Sequence, residues 1–549
     1  MKPKSSRFAK AMVQASLCVL LTAPAHAQTP ADKIVWAHQM GVMPNDSGMQ
    51  YGSTYPITIF NLNDPVARAN FPRQFAKDEI NSGITGIAFE VTPGHHSNAP
   101  GVAQYEATVK TFASSGLLIA PCIDIGKEPA AVDDIIEAIE RSYVVAKQNA
   151  NPALMPDGRL IVFLYTAINQ SVDAWTRMRG KLAADGYKVF LVGDVSQANI
   201  GVAKAMSNAA ASVAGWDAAF NFPGTGMAGA ADSNANFNKT IAAHNKMWVG
   251  SVAPGYYRGV NVSPAWGPFG VDALGTARLR STWQDILQSN IRWVYWITQN
   301  DFVEHTNLMP DSSWGYTRSD MNLWFARKFT KSPYPYGPAL YLTTPQALHA
   351  GGTSVVELAV INPLGRPLSA NLQIVADNGD VIGSAHVQAA AHQLDAVQIA
   401  LPAAAGARYR YARAIAQGPG GPITSAPILL SKLAKLPGDH GVTNYYSVNS
   451  RLTTPRGWHP ILSSHGNEVQ LSGVDANAIL SVDLLASGNM VDQVKFPPAG
   501  PIALSKTRIL PFGRDSNDNK NSKLYADPDV YLVRIVLKNG SIWHSDPLR

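Results

Sequence analysis

Cysteine is nearly absent from this 549-residue chain, which holds only Cys18 and Cys122. Cys18 falls in a leader, so one thiol remains, an intrachain disulfide is excluded, and stability must come from large cores. Charge is scarce too. Charged residues make up 15% against 46% hydrophobic, a balance that excludes a disordered or coiled-coil chain. Past the leader, no stretch of about 18 uninterrupted apolar residues occurs, so no membrane-spanning helix is expected. Of the net charge of +6, Lys2, Lys4, Arg7 and Lys10 supply four within 27 residues that hold no acid. The remaining +2 gives no electrostatic footprint for nucleic acid. Gly-x-Ser-x-Gly, Gly-x-x-x-x-Gly-Lys and His-Glu-x-x-His are all missing, and no glycine-rich phosphate loop follows the first apolar run. No metal and no cofactor are expected.

What is present begins with residues 1–27. A basic stretch leads into AMVQASLCVLLTAP and then Ala25-His26-Ala27, the pattern of a cleaved export signal. The mature chain then starts near Gln28 and is expected to be periplasmic or secreted. Cys122 sits in an apolar run (GLLIAPCIDIG) and reads as a buried structural thiol. His95-His96 lacks the spacing of a metal site and reads as a loop. The 515–521 segment has calcium-loop spacing but no Gly at its sixth position and Ala526 at its twelfth, so it reads as a polar loop.

Between residues 30 and 332, eight short apolar runs alternate with amphipathic stretches such as AAVDDIIEAIERSYVVAKQNA. Near-continuous apolar runs imply strands buried on both faces, and intervening helices imply parallel crossovers. Eight such units in about 300 residues predict a (β/α)8 barrel. After KSPYPYGP the texture turns to short strands and tight turns. It predicts a β-sandwich over 339–435 and a second β-rich domain over 436–549. Ten of the 12 Trp lie between Trp36 and Trp324. Aromatic faces stack on sugar rings, so Trp216, Trp266 and Trp296, near strand ends, are candidate platforms for a carbohydrate.

In a barrel of this kind, chemistry sits at the C-terminal ends of the strands. Those ends supply His38, Glu90, Asp124, Asp194, Asp217, Tyr257 and then Asp301 with Glu304. Asp217 has a weakness as a strand end, because the AAFNF of residues 218–222 could continue its strand. A glycosidase needs one carboxyl to protonate the leaving oxygen and a second to activate water or attack. Two acids three apart on a turn, as in Thr298-Gln299-Asn300-Asp301-Phe302-Val303-Glu304, can converge on one substrate, while each shifts the other's proton affinity.

That segment resembles the "TWNDYGES"-like motif of the α-1,3-glucanase (mutanase) family, glycoside hydrolase family 71. Residues 35–40, 82–89, 255–264 and 283–287 resemble further family motifs in the same order, so the resemblance spans roughly 34–329. It implies an inverting hydrolase of an α-linked polysaccharide, an α-1,3-glucan or a bacterial exopolysaccharide, that cleaves within the polymer. The family's catalytic pair then falls on Asp301, the base, and Glu304, the general acid. His38, Glu90, Asp124, Asp194, Asp217 and Asn300, with Trp216, Tyr257, Trp266 and Trp296, are the expected substrate-binding set. Gln299 replaces the motif Trp and Thr85 replaces a family Asp. Family 99, the endo-α-mannosidases, is similar more distantly through its own acid pair three apart. A non-catalytic glycan-binding protein is the contrasting class.

Overall fold

The computed structural model describes residues 33–40, 54–57, 65–94, 101–126, 130–148, 152–196, 215–222, 233–257, 270–302, 304–348, 354–430, 443–455, 458–486, 489–507 and 530–548. The expected leader, His95-His96, Trp266 and the 515–521 loop lie outside these residues, as does the side chain of Tyr257.

The expected barrel is there. Its strands are β1 (Ile34–Gln39), β2 (Gly86–Val91), β3 (Leu118–Asp124), β4 (Leu160–Tyr165), β5 (Val189–Asp194), β6 (Ala218–Phe220) and β7 (Met247–Val252). A small antiparallel pair follows, β8 (Tyr256–Tyr257) and β9 (Gly270–Val271), before β10 (Trp293–Trp296) closes the ring onto β1. All eight barrel contacts between neighbours are parallel.

Local sequence explains the helices between them. In Val132–Lys147, Ile135, Ile136, Ile139, Val145 and Ala146 fall on one buried stripe. Asp133 and Asp134 stand in its first turn and Lys147 in its last, each favourable to the helix dipole. Ser171 caps the helix Val172–Ala184 by accepting from the Ala174 amide at 3.1 Å.

Strand alternation splits the barrel residues into two cores. One lies between strands and helices and includes Val35, Ile87, Ile119 and Val294. The other fills the interior with Trp36, Ala88, Cys122, Phe163, Phe220, Trp293 and Tyr295. Trp36 packs edge-on against Phe163 and Trp293 at 5.2 and 5.9 Å between centroids. It fits because Gly86 stands opposite: a Cβ there would lie 2.5 Å from the indole.

Beyond the barrel, two sandwiches follow. The first packs a four-stranded sheet containing Ala339–Pro345 and Val355–Ile361 on a second sheet built around Leu368–Ala376 and Tyr411–Gln417. Tyr445–Asn449 pairs with Ala339–Pro345, so this sandwich extends past the expected boundary at 435. The second packs the sheet of Ile461–His465, Glu468–Ser472 and Ile502–Ser505 on that of Ile479–Ala486 and Tyr531–Leu537.

The sandwiches are joined tightly to the barrel. Tyr341, Ala359, Ile361 and Leu394 belong to the same core as the barrel's last helix, Thr317–Phe329. Asp320 on that helix pairs with Arg451 at 2.8 Å, and Glu357 pairs with Arg280 at 2.8 Å. Deepest is the Asp483–Arg534 pair at 2.7 Å, with both side chains fully buried. Tyr55, in the connection after β1, donates to Asp483 at 2.7 Å, while Arg534 donates to the Ser312 carbonyl at 3.3 Å.

Candidate active site

The site follows from the strand period. Side chains two residues apart share a face, so the residue two past a strand's uppermost interior position emerges at the C-terminal mouth. Trp36 leads to His38, Ala88 to Glu90, Cys122 to Asp124, Phe163 to Tyr165, Val192 to Asp194 and Phe220 to Phe222. The floor beneath is aromatic: Tyr295 lies 4.5 and 4.9 Å from Phe220 and Phe163.

On that floor stands a chain of polar groups. His38 Nδ1 is 2.8 Å from the Tyr295 hydroxyl, which in turn reaches Cys122 Sγ at 3.8 Å. Burial holds the His38 imidazole neutral, its pKa lowered to about 3. Its Nε2 faces Glu90 Oε2 at 3.9 Å. Cys122 is buried, as expected of a structural thiol, and burial pushes its pKa up.

Glu90 has its pKa raised to about 8, first by burial and then by Asp124, Asp301 and Glu304. Four carboxylates from β2, β3 and the segment after β10 therefore converge on one mouth. Asp124 accepts from the Gly126 amide at 2.9 Å, and burial raises its pKa. Asp301 Oδ1 accepts from the Glu304 amide at 2.9 Å, so the two acids of the motif are fixed by one tight turn. Glu304 Oε1 accepts from the Tyr256 hydroxyl at 2.8 Å. Tyr165 completes the ring; its phenol feels Glu304, Asp124, Asp194 and Glu90, and burial with these charges keeps it protonated.

Several expected substrate contacts are corrected. Asp217 precedes β6, so it lies at the opposite end of the barrel, where Arg159 and Arg179 hold it at 3.0 and 3.1 Å. Its strand does continue through the apolar residues after it. Trp216 and Trp296 are fully buried in the layer between strands and helices and offer no face to the mouth. Trp216 occupies space left by Gly193, where a Cβ would meet the indole at 2.1 Å. Trp296 donates its indole N–H to the Thr298 carbonyl at 2.9 Å.

Two more residues sit near the mouth but are consumed by structure. Asp194 is fully buried and accepts from Thr166 N, Ser196 N, Ser196 Oγ and Phe222 N, tying the ends of β4, β5 and β6 together. Burial still lifts its pKa to about 7. Asn300 clasps the end of β1, accepting from Met40 N at 2.9 Å and donating to Met40 O at 3.2 Å.

Tyr165, Tyr256, Phe222 and Tyr295 were not among the expected residues. Phe222 lies 4.6 Å from Tyr165 and 5.2 Å from His38 between centroids, and these rings take the place expected for Trp216. The alternation of LIVFLY and RWVYW carried the signal for Tyr165 and Tyr295. Tyr256 stands one residue before the expected Tyr257, whose side chain lies outside the described residues.

No known family profile matches the chain, so the resemblance to family 71 has no such support, and no curated protein matches it. Solved structures do show likeness. The GH99 endo-alpha-mannosidase from Bacteroides thetaiotaomicron is 15% identical over 55% of this chain and 99% of its own, with a TM-score of 0.44. A glycosyl hydrolase family 2 member from Bacteroides cellulosilyticus DSM 14838 is 9% identical over 94% of this chain and 61% of its own, with a TM-score of 0.38. A beta-glycosidase from Bacteroides vulgatus is 9% identical over 94% and 64%, at 0.38. At such identities and TM-scores no residue role is carried over from these proteins. The fold rests on this chain's own closed parallel ring, a (β/α)8 barrel followed by two β-sandwiches.

Proposed function

We propose that this chain is a glycoside hydrolase that cleaves an α-linked polysaccharide, an α-1,3-glucan or a bacterial exopolysaccharide, within the polymer and with inversion. One observation carries the reading: Glu90, Asp124, Asp301 and Glu304 meet at the C-terminal mouth of a (β/α)8 barrel, with Tyr256 bonded to Glu304. Glycosidic hydrolysis asks for a pair of carboxyls with opposed proton demands, and crowding of acids supplies that opposition. In this reading Glu304 is the general acid. Tyr256 fixes its orientation, and Glu304 passes a proton to the leaving oxygen. Asp301 is the base that takes the proton of the attacking water, its carboxylate oriented by the Glu304 amide. No metal or cofactor takes part. The leader is proposed to export the chain to the periplasm or beyond, which an N-terminus at Gln28 in the mature protein would support.

Reducing-end release from a panel of α-glucans, α-mannans and bacterial exopolysaccharides tests the proposal. Release that disappears in Glu304→Gln supports it. Release from α-mannan alone would favour a family 99-like endo-α-mannosidase. Retention of polymer without release would favour a glycan-binding protein, a reading that draws on Gln299: its buried amide stands in place of the motif Trp and makes no side-chain hydrogen bond among the described residues.

A further inference from the structure

We propose that Glu90 works as a neutral carboxylic acid, donating a hydrogen bond from its carboxyl to an oxygen of the bound sugar chain. This rests on the glycoside hydrolase reading and adds a third carboxyl, with a different task, to the pair already named.

Placement comes first. Glu90 follows Ala88 by two on β2 and so points into the mouth, where its side chain keeps 12% exposure, enough to meet a ligand. The groups facing it are His38 and Tyr295 from the floor, Cys122 and Asp124 from β3, Tyr165 from β4, and Asp301 and Glu304 from the segment after β10. Among described residues, every charge that bears on Glu90 is an acid. His38 brings none, being neutral. A carboxylate at Glu90 would therefore be desolvated and would face like charges from two sides; protonation removes both costs. The value of about 8 is the expression of that geometry.

A neutral carboxyl carries one O–H donor. His38 Nε2, at 3.9 Å, is too far to take it in a hydrogen bond. No hydrogen bond of the Glu90 side chain occurs among the described residues, so the donor stands available at the partly exposed mouth. Sugar hydroxyls give and accept, but ring and glycosidic oxygens only accept, and they are the atoms this donor suits. Glu90 keeps its proton throughout, unlike Glu304, which passes its own on.

The test is a pH profile of reducing-end release from the polymer cleaved by the wild type, compared among Glu90→Ala, Glu90→Gln and wild type. Loss of the donor in Glu90→Ala lowers kcat/KM at least ~10-fold at pH 6. Glu90→Gln, whose amide still donates, recovers part of that loss. It also strips the Glu90 ionisation near pH 8 from the basic limb of the profile, leaving that of the general acid Glu304. A Gln variant as damaged as Ala at pH 6 overturns the proposal. Difference infrared titration of wild type against Glu90→Gln gives a second reading without substrate. A protonated-carboxyl band that fades near pH 8 is expected, and its absence at pH 6.5 overturns the proposal. Should the wild type release no reducing ends from any polymer, the hydrolase reading falls alone. Retention of the panel polymers on Ala and Gln variants across pH then decides Glu90 by the same criteria.

Discussion

At the junction between barrel and sandwiches, buried acids stand against arginines: Asp483 on Arg534, Asp320 on Arg451, Glu357 on Arg280. At the mouth, acids stand against acids, with Glu90 hemmed by Asp124, Asp301 and Glu304. Both regions remove carboxyls from water, which is costly unless the charge is paired or given up. The junction takes the first course and gains a fixed geometry. The mouth takes the second at Glu90, whose pKa is raised to about 8, at some expense in stability. Asp217 belongs with the junction by this test, since two arginines hold it, and its position at the far end of the barrel agrees.

The contrast breaks most sharply at Asp483. Asp483→Ala leaves Arg534 buried without its acid and should cost about 3–5 kcal/mol of unfolding free energy, read by urea denaturation. A loss under about 1 kcal/mol would mean that the pair does not hold the junction. Next come the mouth acids themselves. Glu304→Gln and Asp301→Asn should each lower kcat at least ~10²-fold while the thermal midpoint stays close to wild type. Near wild-type turnover in both would move the chemistry elsewhere in the mouth. Tyr256→Phe removes one hydrogen bond to Glu304, and a loss of about tenfold in kcat/KM is expected.

A further effect is on stability against pH. The fold raises Glu90 from 4.5 to about 8, so the unfolded chain ionises first. The stability associated with neutral Glu90 is therefore complete below about pH 4.5 and is lost as pH rises through 8. The thermal midpoint of wild type should fall, relative to Glu90→Gln, between pH 5 and 8.5. Parallel curves would show that Glu90 is not held neutral.

Much of this was legible in the sequence, for a definite reason. Strands buried on both faces must be apolar throughout, so KIVWAHQM, GRLIVFLYTA and their fellows announced the barrel. The mouth acids were legible because a strand's last polar residue has nowhere else to emerge. Parity was the information left unused. Trp36, Trp293 and Tyr295 share the interior face, which puts Trp296, next to Tyr295, in the outer layer. The same short-range logic would have moved Asp217 to the start of its strand. What no local pattern could reveal is the junction, because Glu357 is 77 residues from Arg280 and Asp320 is 131 from Arg451. The boundary at 435 failed for a related reason: Tyr445–Asn449 looks like any strand, and only its pairing with Ala339–Pro345 assigns it to the first sandwich.

Tyr55 and Asp483 are 428 residues apart in the chain, yet they share a hydrogen bond. Ser312, whose carbonyl Arg534 holds, exchanges backbone and side-chain bonds with Tyr55, and thus the connection after β1 and the stretch after the motif acids are locked as a unit by the last sheet. A chain emerging from the ribosome completes its barrel strands by residue 296 but gains this lock only when residues 531–537 are made. A nascent or clipped chain that lacks the final sheet would carry every mouth acid but not the contacts that hold Tyr55 and Ser312 together with Arg534.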